Sequence, residues 1–238
     1  MKTLKTIVTL LLFITSLQSF AFTKKVKGNG NVVTESRTTN DYDRISVGGS
    51  FEVTLISGEE GELNVQIEDN LKQYLITKVE KGTLMIKWKK GINIYTKKGV
   101  RITIPFKDIE GVSLAGSGNI TSEATINADD LSISIAGSGD INLVVEALDI
   151  NSRIAGSGNL KINGSSENLI CRLAGSGNFK GYELNVTNAD TKIAGSGNIQ
   201  TSVNSTLKAK IAGSGNVYYK GSPTTNVKIS GSGNVTSK

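Results

Sequence analysis

A chain of 238 residues with no histidine, a single cysteine and 27 glycines leaves little room for the common catalytic designs. Ser-His-Asp and Cys-His nucleophile systems and the usual histidine-bearing zinc sites all need an imidazole, and one cysteine forms neither an intramolecular disulfide nor a thiolate cluster. With 37% hydrophobic residues the chain can bury a core, and its formal net charge of +6 comes without the dense Lys/Arg block interleaved with aromatics that nucleic-acid binding requires.

At the N-terminus, Met1, Lys2 and Lys5 precede an apolar run from Ile7 to Leu17 and then Ser19-Phe20-Ala21. Small residues at 19 and 21 suit the two sites that signal peptidase reads, so residues 1–21 are expected to be a cleaved signal peptide and Phe22 the mature start. The run is short of the roughly 20 residues a spanning helix needs. No later run reaches that length, and no cysteine follows the apolar run to take a lipid. The mature chain is therefore expected to be exported, to the periplasm, the outer surface or the medium, without a transmembrane segment.

Residues 22–238 read as one domain, beginning with irregular coils over 22–110. Ile45 and Val47, then Phe51, Val53 and Leu55, flank Gly48-Gly49-Ser50. Leu63, Val65 and Ile67 alternate with polar residues, as do Leu84, Ile86 and Trp88, Ile92 and Ile94, and Val100, Ile102 and Ile104. Alternation with period two is the mark of strands with one face inward, so Trp88 reads as a core residue, the alternative being an exposed ring between Lys87 and Lys89 suited to sugar stacking. Residues 69–75 are expected to form one short helical turn. Terminal coils must cap an open apolar end and so depart from the repeat; Pro105 lies near the switch to regular coils.

Over residues 111–238 a pentapeptide recurs in seven copies: Ala115-Gly-Ser-Gly-Asn119, then copies beginning at Ala136, Ala155, Ala174, Ala194, Ala212 and Ser230, at steps of 18–21 residues. Leu114, Ile135, Ile154, Leu173, Ile193, Ile211 and Ile229 precede the copies, and Ile120, Ile141, Leu160, Phe179, Ile199, Val217 and Val235 follow them. Three residues before each copy stand Val112, Ile133, Ser152, Cys171, Thr191, Ala209 and Val227. These positions alternate inward, and the Gly-Ser-Gly offers two positions free to take positive φ, so each strand is expected to turn a corner there. The fold class that follows is all-β: a parallel β-helix or β-solenoid, one coil per repeat, about 34 Å long for seven rungs near 4.8 Å. Stacking turns identical residues into ladders. Asn119, Asn159, Asn178, Asn198, Asn216 and Asn234 are expected to form an asparagine ladder that Asp140 interrupts, and the serines from Ser117 to Ser232 a second one.

Two residues before the copies stand Ser113, Ser134, Arg153, Arg172, Lys192, Lys210 and Lys228, an outward column. Five stacked cations repel one another. The stripe Arg153, Arg172, Lys192, Lys210 and Lys228 therefore reads either as a device against lateral sheet association or as a docking strip for an anionic polysaccharide or cell-envelope polymer. Other chemistry has weaker support. The glycine loops lead into strands rather than helix N-termini, so they are not phosphate cradles. Asp140 alone cannot supply the six to eight oxygens calcium takes. Asp129, Asp130 and Asp149 lie within a residue or two of one repeat phase, so a carboxylate pair across adjacent coils is open, as in a lyase or glycosidase. Cys171 falls in an inward column and reads as core.

The repeated Ala-Gly-Ser-Gly-Asn-Ile, with the Phe51–Leu55 strand and Ile102-Thr-Ile-Pro-Phe106, resembles the head GIN domain family of "putative autotransporter adhesins" from about Tyr42 onward. The resemblance implies an exported, Bacteroidetes-type protein with a right-handed β-helix-like fold and no catalytic residue to carry over. The expected function is thus a non-enzymatic, adhesin-like binding module with no cofactor or metal; a carbohydrate-active β-helix enzyme and a structural envelope protein are the alternatives. An exposed coil end near Val235 makes an end-to-end homo-oligomer a further expectation.

Overall fold

The computed structural model describes residues 24–238, so the leader expected over residues 1–21 lies outside the described residues. The chain begins with the short strands β1 (Lys24–Lys27), β2 (Val32–Thr38), β3 (Arg44–Gly48), β4 (Glu52–Ser57), β5 (Glu62–Glu68), β6 (Leu75–Glu80), β7 (Thr83–Trp88), β8 (Ile92–Tyr95) and β9 (Arg101–Phe106), with a 3₁₀ turn at Asp69–Tyr74. The repeats then form β10 (Gly111–Gly116), β11 (Asn119–Gly137), β12 (Asp140–Gly156), β13 (Asn159–Gly175), β14 (Asn178–Gly195), β15 (Asn198–Gly213), β16 (Asn216–Lys220), β17 (Thr224–Gly231) and β18 (Val235–Ser237).

Each repeat is one coil of a parallel β-solenoid. Ile135 pairs with Ile154, that with Leu173, and so on through Ile193 and Ile211 to Ile229, every contact parallel and in register. The inward columns predicted from alternation are buried as far as β15, including Ile133, Ser152, Cys171, Thr191 and Ala209, whereas Val227 and Ile229 in the last coil are exposed. Desolvation pushes the Cys171 thiol up to about 12, which leaves it an inert core group. The copies differ in length, yet the pentapeptides stay aligned. The extra residues are absorbed on the stretch after the motif, where register shifts fall between Thr121 and Thr125, Lys161 and Gly164, and Gly181 and Asn185.

The two glycines of the corner do different jobs, which corrects the expectation that both serve to take positive φ. The first, from Gly116 to Gly231, has φ between +118° and +135°. The second keeps an ordinary φ and points inward, buried. A Cβ on Gly158 or Gly177 would land on the carbonyl oxygen of the second glycine one coil below, and within 2.8 Å of Ile135 Cγ2 or 3.0 Å of Ile154 Cγ2 respectively. Here the absent side chain is what lets successive backbones stack at the corner.

At Gly48-Gly49-Ser50 the corner is recognisable but plugged. Gly48 pairs with Ala115, and the Gly49 N–H donates to the Ala115 carbonyl at 2.8 Å. The inward glycine of the repeat is here Phe51, buried, with its ring 5.2 Å from the ring of half-buried Trp88. These two aromatics fill the space that later corners leave to backbone.

The N-terminal coils do not stack in chain order. β3 lies between β10 and β7, and β4 lies between β11 and β9, all in parallel. The coil spanning residues 83–106 is therefore outermost, the coil at 44–57 sits inside it, and 111–137 stacks on the far side of the latter. Pro105 thus stands just before the regular coils along the chain, yet in space it lies in the outermost coil. Beyond it, pairing turns antiparallel: β6 on β7, β5 on β9 and β2 on β5. The 3₁₀ turn adds buried Leu71 to the same end. Antiparallel strands occupy edges that another parallel coil would need, so this end is capped.

A buried carboxylate ties the cap together. Glu68 is fully enclosed, accepts the Gly30 N–H at 2.5 Å and the Lys97 N–H at 2.9 Å, and so clasps the segment after β1 to the loop after β8. Desolvation acts to raise its pKa, but the N–H groups of Lys97, Gly30 and Lys98 and the Thr96 hydroxyl together hold it below the usual glutamate value.

Candidate binding face

The strand preceding each corner presents an outward face with three columns. At its centre Arg153, Arg172, Lys192, Lys210 and Lys228 stand in register on successive coils, one above another. Arg153, Lys210 and Lys228 are exposed, and Arg172 and Lys192 are half-buried. On one side runs a column of small residues, Ala155, Ala174, Ala194 and Ala212, in the same register. On the other run Asn151, Ile170, Asp190, Lys208 and Asn226.

Among the described residues no ion pair reaches the stripe. The ion pairs among the described residues join Arg37 and Lys72 to Glu35, Arg44 to Glu110, Lys78 to Glu80 and Arg101 to Glu52, all in the N-terminal part or at its border. Two unit charges about 4 Å apart repel by roughly 1 kcal/mol in bulk water and several times that near a protein surface. Long side chains relieve this by splaying, and a bound anion relieves it further. At the C-terminal end of the stripe, Lys192, Lys210 and Lys228 with Ala212 and Ser230 line a shallow groove of about 360 Å³.

Just past the corner the asparagines form a directional ladder. Asn178 Nδ2 donates to Asn159 Oδ1 at 2.9 Å, Asn198 Nδ2 to Asn178 Oδ1 at 3.1 Å, and Asn216 Nδ2 to Asn198 Oδ1 at 3.0 Å. Asn234 continues it through its backbone N–H to Asn216 Oδ1 at 3.1 Å. Asp140 interrupts the column as expected, by ending the ladder on its N-terminal side: its Oδ1 accepts both Asn159 Nδ2 at 2.8 Å and the Asn159 N–H at 2.9 Å. A carboxylate accepts but cannot donate onward, so the side-chain ladder starts at Asp140, and Asn119, one coil earlier, lies outside it. The serine column behaves differently from expectation. Ser138, Ser157, Ser176, Ser196 and Ser214 join coils through backbone N–H groups donated to the preceding first glycine, while their side chains face solvent.

Sequence reasoning missed a second ladder of the same design. Asn168 Nδ2 donates to Asp149 Oδ1 at 3.0 Å and Asn188 Nδ2 to Asn168 Oδ1 at 3.2 Å. Its column reads Asp130, Asp149, Asn168, Asn188, Thr206 and Thr224; the Asp-to-Asn change along one repeat phase was the available signal. Asp130 and Asp149 do stack on adjacent coils. Near them Asp108, Glu110, Asp129, Glu146 and Arg44 line an open depression of about 930 Å³. Among the described residues no group of three or more His, Cys, Asp or Glu side chains is arranged to hold a metal ion.

Fold and face together define a capped parallel β-solenoid that displays a basic strip on one sheet. The chain belongs to the family described as "Putative auto-transporter adhesin, head GIN domain", whose profile matches residues 41–223. A Bacteroides fragilis structure titled a "putative adhesin" superposes with a TM-score of 0.83 at 21% identity, covering 90% of this chain and 100% of that one. A Parabacteroides merdae "putative adhesin" gives 0.77 at 23%, covering 90% and 99%. A Parabacteroides distasonis "putative lipid binding protein" gives 0.75 at 28%, covering 90% and 100%. No functionally curated protein matches the chain. Among the described residues no helix is long and apolar enough to cross a membrane.

Proposed function

We propose that this chain is an exported, adhesin-like and non-enzymatic binding module that holds a linear anionic polymer, an acidic polysaccharide or an envelope polymer, along Arg153, Arg172, Lys192, Lys210 and Lys228. The observation that carries the reading is the stripe itself: five cations in strict register on a flat sheet, with an alanine column beside them that leaves room for a chain to lie flat. A rung spacing near 4.8 Å suits a polymer that repeats one anion per unit. Family membership and the two adhesin-titled neighbours support the class. The third neighbour, described as a lipid-binding protein, is compatible with the same chemistry, since phosphate head groups are anionic.

The test is calorimetric titration of the whole protein with polygalacturonate, with neutral dextran as control, at low and high salt. Binding to the acidic polymer alone, weakening steeply with salt and lost in the Arg153→Ala, Arg172→Ala double variant, is the expected result. Absent or salt-insensitive binding refutes it. A reducing-sugar assay on the same mixtures separates the enzyme reading: turnover abolished by Asp149→Asn would transfer the activity to the Asp130–Asp149 stack.

A further inference from the structure

The two ends of the solenoid are not alike. The N-terminal end is closed by antiparallel strands, whereas among the described strands β17 pairs only with β15 and all eight of its residues are exposed. Val227 and Ile229 continue the inward columns of the core, yet they are 41% and 43% exposed, against 0% and 2% for their register partners Ala209 and Ile211. The open edge thus offers free backbone N–H and C=O groups beside uncovered apolar side chains, a template for another strand.

We infer that this edge is a dimerisation surface: two copies of the chain join C-terminal coil to C-terminal coil by antiparallel pairing of β17 about a two-fold axis. Three observations select a second copy in this arrangement. Head-to-tail stacking is blocked, because the opposite end already carries β6, β5 and β2 on its edges; the contact left is isologous and closed. Since side chains alternate, the pairing must also align inward with inward positions. A register centred on Val227 does so, setting Val227 against its own copy and Ile229 against Thr225 of the second copy.

The third observation is electrostatic. Lys228 is the only charged residue of β17, and a lysine on an edge strand ordinarily discourages pairing. In the register centred on Lys228 the two lysines would oppose each other. In the register centred on Val227, each Lys228 instead faces Asn226 of the second copy, so the same lysine that rejects one register leaves the other free. Pairing of this kind continues one sheet into the next, so the outward faces of both copies lie on the same side. This inference does not depend on what the basic stripe binds.

Sedimentation equilibrium of the whole protein across a concentration series tests it. A monomer–dimer equilibrium is expected. Asn226→Lys, an outward change that leaves the core untouched, places like charges opposite each other twice per dimer and should weaken association by roughly tenfold; Asn226→Asp should strengthen it. Val227→Cys should give a disulfide-linked dimer on mild oxidation, since native Cys171 is buried, whereas Thr225→Cys should not. A monomer at every concentration, a dimer indifferent to Asn226→Lys, or a dimer that Val227→Cys fails to cross-link overturns the inference.

Discussion

Single residues set two of the constraints on this fold. The second glycine of each corner is required for space, so Gly177→Ala should cost about 1–3 kcal/mol by overpacking, while Ser176→Ala, on the exposed tip between the glycines, should stay within about 0.5 kcal/mol. Urea unfolding of the two variants checks the contrast. Glu68 sets the other constraint. Its folded pKa is depressed, so its contribution is fully present above the ordinary glutamate value and is lost as pH falls through the lower folded value. Thermal midpoints of the wild type should therefore drop on acidification through that window. Glu68→Gln, which turns an amide NH₂ toward backbone N–H donors, should be less stable at neutral pH and flatter with pH. Neither role was legible in the sequence. A glycine codon does not say whether conformation or space demands it, and Glu68 is one acid in an alternating strand whose partners at Gly30 and Lys97 lie 38 and 29 residues away.

Elements bring out what repetition can encode. The inward columns and the asparagine column were readable because the same residue type recurs at one phase, which fixes neighbours without any structure. Where a column changes type the signal fades, as in the Asp149–Asn168–Asn188 ladder. Both ladders begin on an aspartate followed one coil later by asparagine, and both donate toward the N-terminus. An acceptor-only group can start such a chain but not continue it, so Asn178→Asp should break the ladder in its middle. Asn178→Ala removes one donated and one accepted bond, and should cost about 1–3 kcal/mol, read from equilibrium unfolding. Asn119→Ala, outside the side-chain ladder, should cost less.

At the scale of the molecule, stability in a solenoid is a sum over coils and their nearest neighbours. Coils β12 to β14 are covered on both sides, whereas β17 and β18 have a partner on one side only. Amide hydrogen exchange should accordingly be fastest in 224–238 and slowest in 140–195, grading between them; uniform protection to the last residue in the monomer would contradict this. The order of the N-terminal coils escaped sequence reading for a clear reason. Strands at 44–57 and 83–106 carry the same period-two signal and, unlike the later coils, no shared phase marker beyond Gly48-Gly49-Ser50, so nothing along the chain says which lies outside which.

That inverted order gives the molecule a direction of growth. A chain emerging N-terminus first makes the 44–57 coil before either of its neighbours, and at that moment both of its edges are bare. Segment 83–106 then folds back to seal one side together with the antiparallel strands, and only the other side remains for residue 111 onward. From there each new turn has a single place to go, like thread on a bolt whose head is already fixed, and the stage with both edges bare falls early, before the first of the seven repeat motifs is added.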